Sequence, residues 1–191
     1  MELNNITIRL LRKTDAPEVL ALLEKTYLHN PNYISHSCRQ MGIVPNQPLS
    51  DAARKHLQTH VLKHIGGRNQ LGFIALTGTR ILGYVLIQKH QHRDCEPYGE
   101  LSDLVVVPRK HSAGVGQMLI ARAMAQFRDW KLDHTYLESG ITNKAAHRFF
   151  AGQGWQTVSQ VLMCPTRRTP HSETEVKPES PDVPPSEVVS S

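Results

Sequence analysis

Residues 103–124, DLVVVPRKHSAGVGQMLIARAM, contain the pattern that decides the fold. Their apolar, β-branched start predicts a buried strand, which passes through Pro108 into a short loop and then into an apolar helix. Gly114 and Gly116 stand where the loop becomes the helix. Glycines there let the backbone approach a ligand closely, and a helix N-terminus carries unpaired N–H groups and a partial positive charge. The stretch predicts an anion site, although a tight strand-to-helix turn explains the same glycines equally well.

A second informative stretch, NKAAHRFFAGQGW, occupies residues 143–155. It predicts a short helix that starts near Asn143 and ends at Gly154, followed by a strand that begins at Trp155. Phe149 and Phe150 fall on or near the apolar face of this helix. Taken alone, the stretch is explained by ordinary packing of an amphipathic helix against a sheet.

The remaining sequence predicts a mixed α/β domain around these two stretches. The order of elements is β-α-α-β-β-β-α-β-α-β. In chain order the expected elements are a strand ITIRLLR, a helix capped by Thr14 or Asp15, a helix from about Ser50 to Ile65, a hairpin of GFIAL and ILGYVLIQ, a strand GELSDLVVV, a helix from about Gly114 to Trp130, a strand HTYLES, a helix after Thr142 and a final strand WQTVSQVLM.

Length and composition indicate one globular domain. The 191 residues are 39% hydrophobic and 20% charged, which allows a real core. We find no apolar run of membrane-spanning length and no continuous apolar segment near the start, so the expected location is the cytoplasm. Three cysteines without paired spacing suggest neither a disulfide framework nor a zinc motif.

Residues 165–191 differ in composition from the rest of the chain. They hold six of the twelve prolines, no glycine and no aromatic residue, which predicts a disordered Pro/Ser/Glu-rich tail after a domain of residues 1–164. The tail carries a charge of −2, so the domain carries +7. Because these charges are mixed in sign and form no basic stripe, nucleic-acid binding is not favoured.

Together the two stretches resemble the motifs of the GCN5-related N-acetyltransferase (GNAT) superfamily. The family pattern V-x-P-x-x-Q/R-x-x-G-x-G/A appears here as V-V-P-R-K-H-S-A-G-V-G. The family pattern N-x-x-A-x-x-h-Y-x-x-x-G-F, where h is apolar, appears as N-K-A-A-H-R-F-F-A-G-Q-G-W. The resemblance implies a GNAT fold and an N-acetyltransferase that moves acetyl from acetyl-coenzyme A (acetyl-CoA) to a primary amine. The amine of a small molecule or a protein would attack the thioester directly, without a metal.

The same resemblance implies where the cofactor binds. The backbone of residues 105–107 would pair with the pantetheine arm like an added strand, and the loop amides would hold the pyrophosphate. Arg148 either reaches a phosphate or is a solvated helix residue. The implied cofactor-binding residues are Val105, Val106, Val107, His111, Ser112, Ala113, Gly114, Val115, Gly116, Gln117, Asn143 and Phe150.

Two positions depart from the family patterns. His111 stands at the Gln/Arg position, where Arg109 and Lys110 could supply the charge instead. Phe150 stands where many relatives have a Tyr that protonates the leaving thiolate. General-acid help is worth ~10²–10⁴-fold, so its loss predicts a slower or differently assisted enzyme rather than an inactive one. Ser139 is favoured over Tyr136 as the replacement donor.

Glu100 and Asp103 in GELSDLVVV are the expected general bases, and Glu138 is a weaker candidate. The alternative is that such a carboxylate pairs with a nearby Lys or Arg and does no chemistry. In the family, the stretch equivalent to residues 27–67 shapes the acceptor pocket. Tyr33 and Arg39 are therefore the expected substrate-binding residues, with His36 and Met41 also plausible. Asp51 is the only acidic residue of this stretch, so a strongly cationic acceptor is not especially favoured.

His56, His60 and His64 recur every four residues and share one helix face. No Glu or Asp joins them on that face, so they predict a solvated or substrate-facing edge rather than a metal site. The buried stripe is expected one position further on, at Leu57, Val61 and Ile65. The histidines and cysteine of residues 90–95 are likewise not expected to bind a metal.

Two other function classes stay open. One is a non-catalytic GNAT-like module that binds coenzyme A and regulates or contacts a partner, which the changes at His111 and Phe150 motivate. The other is an RNA- or protein-modifying acetyltransferase whose acceptor meets the positively charged domain. The resemblance also makes a homodimer an expectation, and no membrane partner is expected.

Overall fold

The computed structural model of the protein describes residues 5–107, 114–164 and 166. The chain divides into two compact units, Met1–Thr157 and Val158–Ser191. Residues 158–164 and 166 of the second unit contain no helix or strand. The predicted tail lies outside the described residues, apart from Thr166.

The first unit is built on a five-stranded mixed sheet in the order β1-β2-β3-β4-β5. The first four strands pair antiparallel and β5 pairs parallel with β4. This arrangement confirms the predicted fold class. The strands are β1 (Ile6–Leu10), β2 (Gln70–Thr77), β3 (Arg80–His90), β4 (Tyr98–Val106) and β5 (Thr135–Leu137).

Helices cover both faces of the sheet. The stretch between the first helix and the 51–63 helix contains a short 3₁₀ turn (Pro31–Tyr33) and the five-residue helix α2. Another 3₁₀ turn (Lys13–Asp15) leads into the first helix. The helices are α1 (Ala16–His29), α2 (His36–Gln40), α3 (Asp51–Lys63), α4 (Val115–Asp129) and α5 (Lys144–Ala151).

Two hydrophobic clusters form the core, one on each face of the sheet. Val19 of α1 and Leu57 of α3 are buried against one face. Leu119 and Phe127 of α4 are buried against the other, where Phe149 of α5 also packs. The central strand β3 is buried from 81 to 87 because both layers cover it. This explains its continuous apolar sequence.

A β-bulge in β4 determines which side chains reach each layer. Leu86 lies opposite Asp103 and Ile87 lies opposite Leu101, so Ser102 is the extra residue. Leu101 belongs to the α4 cluster, whereas Asp103 contacts α3. Without the extra residue, strict alternation would put Leu101 and Asp103 on the same face. The bulge therefore turns Asp103 away from the α4 core.

The predicted final strand, WQTVSQVLM, was wrong. Residues 155–164 contain no strand, and Val158, Leu162 and Met163 are 74%, 90% and 80% exposed. A strand forms only where a neighbouring strand supplies hydrogen bonds. A favourable residue pattern does not show whether such a neighbour exists. The preceding strand is also shorter than expected, with three residues in β5.

Candidate active site

The site begins where β4 and β5 separate. β5 pairs with Gly99–Leu101 and ends at Leu137, whereas β4 continues to Val106. Beyond Leu101, no strand of the described chain pairs with β4 on that side. The divergence opens a cleft beside the second half of β4.

Only alternate backbone groups of β4 point into this cleft. The N–H of Val107 donates to the carbonyl of Leu82 at 2.9 Å, so Val107 directs its N–H toward β3. By the alternation of an antiparallel pair, Val105 also points toward β3, whereas Leu104 and Val106 point away from it. Consistent with this, the Leu104 carbonyl accepts a hydrogen bond from the Tyr33 hydroxyl at 3.3 Å. Of the three expected strand residues, only Val106 directs its backbone groups into the cleft, and Leu104, which does the same, was missed.

The N-terminus of α4 borders the cleft. Gly114 is its N-cap, with φ of 70° and no side-chain cap, a conformation that few non-glycine residues adopt. The first N–H groups of a helix have no partner within the helix, which favours an anionic group at this end. In the first turn of α4, the Val115 side chain is buried and the Gln117 side chain is exposed. The expected loop residues His111, Ser112 and Ala113 lie outside the described residues.

Helix α5 closes the cleft from the other side. The Asn143 side chain caps α5 by accepting a hydrogen bond from the Ala146 N–H at 3.3 Å. The ring of Phe149 packs on Gly116, where an added Cβ would lie 3.2 Å from Phe149 Cζ. Phe150 contacts Phe149 and Trp155 edge-on at centroid separations of 5.3 and 5.8 Å. Small residues and aromatic rings thus give this wall an apolar surface.

One cavity of about 1010 Å³ connects the cleft to the α1/α3 layer. At the cleft end it is lined by Val106, Val107, Gly116, Asn143 and Phe150. At the opposite end it is lined by Tyr33, His60, Glu100, Asp103 and Ser139. Most of the expected site residues therefore meet at a single cavity. Arg39 does not line it and is exposed on α2.

Asp103 is the most buried carboxylate of the cavity, with 8% of the residue exposed. Its Oδ2 lies 2.9 Å from Nε2 of His60, and its Oδ1 accepts from the Tyr33 hydroxyl at 3.3 Å. Burial, followed by the charge of Asp103, raises the pKa of Tyr33, which stays a neutral donor. Burial lowers the pKa of His60, but hydrogen bonding and attraction to Asp103 outweigh it, so the pKa is raised.

His64, one turn after His60, is buried with 1% exposed. Its Nδ1–H donates to the His60 carbonyl at 2.8 Å, and the two rings meet edge-on at 4.7 Å. Burial is the main cause that lowers the pKa of His64 to about 4, and the nearby His60 adds to the effect. The expected buried stripe is correct for Leu57 and Val61, but His64 is buried with them.

Two further carboxylates of the cavity also pair with histidines. Glu100 accepts from Nε2 of His90. Glu138 lies 3.4 Å from Nδ1 of His36 and accepts from the Ser37 N–H at 3.2 Å. Burial raises the pKa of Glu138. Hydrogen bonds from Ser37 and its neighbours lower the pKa by more than burial raises it, so the net pKa is lowered. The expected alternative, pairing with a Lys or Arg, is replaced by pairing with histidines.

Among the described residues, no group of three His, Cys, Asp or Glu side chains could hold a metal ion. None of the described helices has the length and apolar character needed to cross a bilayer.

The fold and the cavity together define a class of protein. The protein is an α/β domain in which a helix N-terminus, a cleft beside a central strand and a cavity lined by several carboxylates adjoin each other. Such a site suits an extended ligand with an anionic end and a second molecule that meets it in the cavity.

The sequence model of the Acetyltransferase (GNAT) family matches residues 34–155. Because the match covers more than half of the chain, the chain belongs to the acetyltransferase (GNAT) family. The predicted family is thereby confirmed, and with it the enzyme class at the level of the family.

Individual relatives are more distant. N-alpha-acetyltransferase 30 of Xenopus laevis is 27% identical over 86 residues, which are 45% of this chain and 32% of that protein. The human protein of the same name is equally similar, with 24% of its length covered. The match thus spans a third or less of these curated relatives.

Solved structures show the same fold. An aminoglycoside acetyltransferase from an uncultured soil metagenomic sample, in complex with sisomicin, has a TM-score of 0.60 at 18% identity. The alignment covers 87% of this chain and 98% of that one. An aminoglycoside N-acetyltransferase, AAC(6')-Iy, in complex with CoA has a TM-score of 0.59 at 17% identity, with 85% and 95% covered.

Proposed function

We propose that this protein transfers an acetyl group from acetyl-CoA to a primary amine. The observation that carries the proposal is the single cavity that runs from the first turn of α4 to the carboxylates Glu100 and Asp103 of β4 and Glu138 after β5. One end suits a pyrophosphate and the other an amine. Family membership supports the donor, as does the CoA bound in a structural neighbour.

The cofactor would lie along the cleft. Its pyrophosphate would accept hydrogen bonds from the first turn of α4, and its pantetheine arm would follow β4 beside Leu104 and Val106. Phe150 and Phe149 would contact the arm and exclude water from the thioester. Asn143 would present its side-chain NH₂ group to the pantetheine arm, because its Oδ1 already accepts the hydrogen bond that caps α5.

The acceptor amine would enter from the α1 and α3 side. Four carboxylates line the cavity, from Glu18 of α1, Glu100 and Asp103 of β4 and Glu138 after β5, and they outnumber its two permanent cations, Lys25 and Arg80. None of them belongs to the 27–67 stretch, on which the sequence expectation against a cationic acceptor was based. We therefore propose an acceptor that arrives as an ammonium ion, either a small molecule or the amine of a protein. The names of the relatives, an N-alpha-acetyltransferase and aminoglycoside acetyltransferases, include both kinds.

The proposed chemistry is a direct transfer. The neutral amine attacks the thioester carbonyl carbon, the C–N bond forms, and the C–S bond breaks with its electron pair on sulfur. Holding the two reactants side by side supplies a large part of the acceleration. Ser139 lines the cavity and is a donor for the thiolate, whereas Tyr136 is 45% exposed and packs on Tyr98 outside the cavity.

The test is calorimetric titration with acetyl-CoA and CoA, followed by a thiol-release assay over small amines, aminoglycosides and peptides with free N-termini. Binding with release of thiol on any amine supports the proposal. Binding without release on the whole panel favours the non-catalytic module. Absence of binding contradicts the proposal.

A matched pair of variants at Gly114 tests the anion site. Asn and Asp both tolerate a positive φ better than other side chains and have nearly the same shape. Gly114→Asp puts a negative charge at the N-terminus of α4, where the pyrophosphate would lie. Relative to Gly114→Asn, it should weaken acetyl-CoA binding by ~10-fold or more. The reason is that repulsion between the new carboxylate and an adjacent pyrophosphate is worth at least about 1.4 kcal/mol. Equal affinities in the two variants, measured by calorimetry, would place the pyrophosphate elsewhere.

A further inference from the structure

Three carboxylate–histidine pairs surround the acceptor end of the cavity, and they are not equivalent. Glu100 pairs with His90, Glu138 with His36 and Asp103 with His60. The His90 and His36 side chains do not line the cavity, whereas His60 and Asp103 both do. Only one pair therefore offers both of its members to a ligand.

The two members of this pair differ in what they can still do. Both oxygens of Asp103 accept hydrogen bonds, from His60 and from Tyr33. One lone pair on each oxygen is thereby engaged, and the carboxylate is more deeply buried than the His60 ring, so a ligand reaches it less easily. The imidazole of His60 uses Nε2 for Asp103, and its Nδ1 makes no hydrogen bond to any described residue. Its side chain is 30% exposed, so the ring is reachable from the cavity.

The hydrogen bond to Asp103 also selects the tautomer. A carboxylate accepts, so Nε2 carries the hydrogen and Nδ1 carries the lone pair. We infer that His60 is the general base that deprotonates the acceptor ammonium through Nδ1, and that Asp103 is a positioning residue that orients the ring. This inference rests on the proposed function, and it moves the base from β4, where the sequence suggested it, to α3.

The proton balance is simple. Nδ1 of His60 takes one proton from the ammonium, and the neutral amine forms the C–N bond while the C–S bond breaks. A second proton leaves the nitrogen as the amide forms. One proton ends on the coenzyme A sulfur and the other in solvent, to which the exposed edge of His60 returns it.

Several charged or titratable groups face His60 and set its pKa. Desolvation lowers the pKa, Asp103 and the more distant Glu100 raise it, and Lys63 lowers it, with a raised net value. From the neighbouring elements, Tyr33 and His64 also lie close, as a neutral phenol and a neutral imidazole. The groups that control this histidine thus come from α3, β4 and the 31–33 turn.

The experiment measures the pH dependence of kcat/KM for thiol release with an acceptor that titrates well above neutral pH. In the wild-type protein the rate should fall on acidification with a midpoint above 6.5, the ordinary histidine value. His60→Gln should remove this acid limb and lower kcat by ~10²-fold or more, with acetyl-CoA affinity unchanged. Asp103→Asn should move the limb to lower pH, because the charge that raises the pKa is gone.

The controls separate this inference from the proposed function. His134→Gln removes an exposed histidine outside the cavity and should leave the profile unchanged. A wild-type protein that turns over, with a His60→Gln variant that keeps both its rate and its acid limb, overturns only the role of His60. A wild-type protein that binds acetyl-CoA but acetylates nothing overturns both. A Glu100→Gln variant that alone loses the limb would assign the base to β4.

Discussion

The Phe150 ring sits at the one position where the chain departs from the family's usual proton donor, and its surroundings decide what that change does. The ring is held between Phe149 and Trp155 and is half-buried, with one side on the cavity. An apolar ring here can exclude water from a thioester but cannot donate a proton. Removing a general acid lowers a rate without abolishing it, since proximity and orientation remain.

Phe150→Tyr is therefore expected to raise kcat for thiol release, by up to ~10²-fold if protonation of the thiolate limits the rate. Acetyl-CoA affinity should stay within about threefold, because the ring itself is retained. Tyr136→Phe is the control, since it changes a hydroxyl on an exposed ring outside the cavity and should leave kcat unchanged. Stopped assays with saturating acetyl-CoA measure both variants. An equal or lower kcat in Phe150→Tyr would mean that another donor, such as Ser139, already serves the thiolate.

Several single residues could be placed at the cavity from the sequence, some by a motif and others, such as Tyr33 and Ser139, by their expected position in the fold. Gly116, Asn143 and Phe150 meet at the cavity as their motifs suggested. The pairing of His60 with Asp103 was missed, because its members are 43 residues apart and no local pattern links them. The i, i+4 spacing predicted a solvated or substrate-facing edge of α3, whereas His64 is buried and the partner carboxylate of His60 lies on a strand.

At the level of elements, strands and helices up to Ala151 follow the sequence closely, because each buries an apolar stripe with its own period. The bulge at Ser102 and the missing final strand depend instead on how a strand meets its neighbours. The sequence LSDLVV has no periodic pattern that would indicate that Leu101 and Asp103 face opposite layers. Such features are settled by packing across the sheet rather than along the chain.

Gly99 shows how tightly the elements around the site are packed. A Cβ on Gly99 would lie 2.7 Å from ring atoms of Phe127 in α4 and 2.7 Å from Cγ2 of Thr135 in β5. Gly99→Ala is therefore expected to destabilise the protein by ~1–3 kcal/mol, because helix or strand must shift to admit a methyl group. Urea unfolding measures the change.

Gly152→Ala provides the control for this prediction. Gly152 has φ of −65°, and an added Cβ would meet only ordinary contacts at 3.5 Å. This variant should be neutral or stabilised by ~0.4–1 kcal/mol through the loss of unfolded-state freedom. A Gly99→Ala protein as stable as Gly152→Ala would show that β5 adjusts at no cost, contrary to the close packing.

At the scale of the whole molecule, histidines link the cavity to the core. α3 presents His60 to the cavity and buries His64 in the α1/α3 layer one turn later. Glu100, Asp103 and Glu138 pair with histidines rather than with permanent cations. Activity, through His60, and stability, through His64, should consequently both fall on acidification.

Stability should fall on acidification because of His64. Its pKa is lowered to about 4 in the folded protein, against 6.5 in the unfolded chain, so between these values the unfolded state binds a proton that the folded state does not. The contribution is complete above pH 6.5 and is lost as the pH falls toward 4, with a total of about 3 kcal/mol. His60 has a raised pKa and acts oppositely, since its contribution is complete below pH 6.5 and is lost as the pH rises.

His64→Asn tests this prediction by removing the titrating ring while keeping a side-chain N–H for the His60 carbonyl. The variant should be less stable than the wild type at pH 7.5, because it leaves a cavity, yet its free energy of unfolding should change much less between pH 6.5 and 4. Asp15 and Glu138 also have lowered pKa values, but their contributions are present in both proteins and cancel in the difference. Urea unfolding over this pH range measures both curves, and parallel curves would mean that His64 does not control the acid sensitivity of the fold.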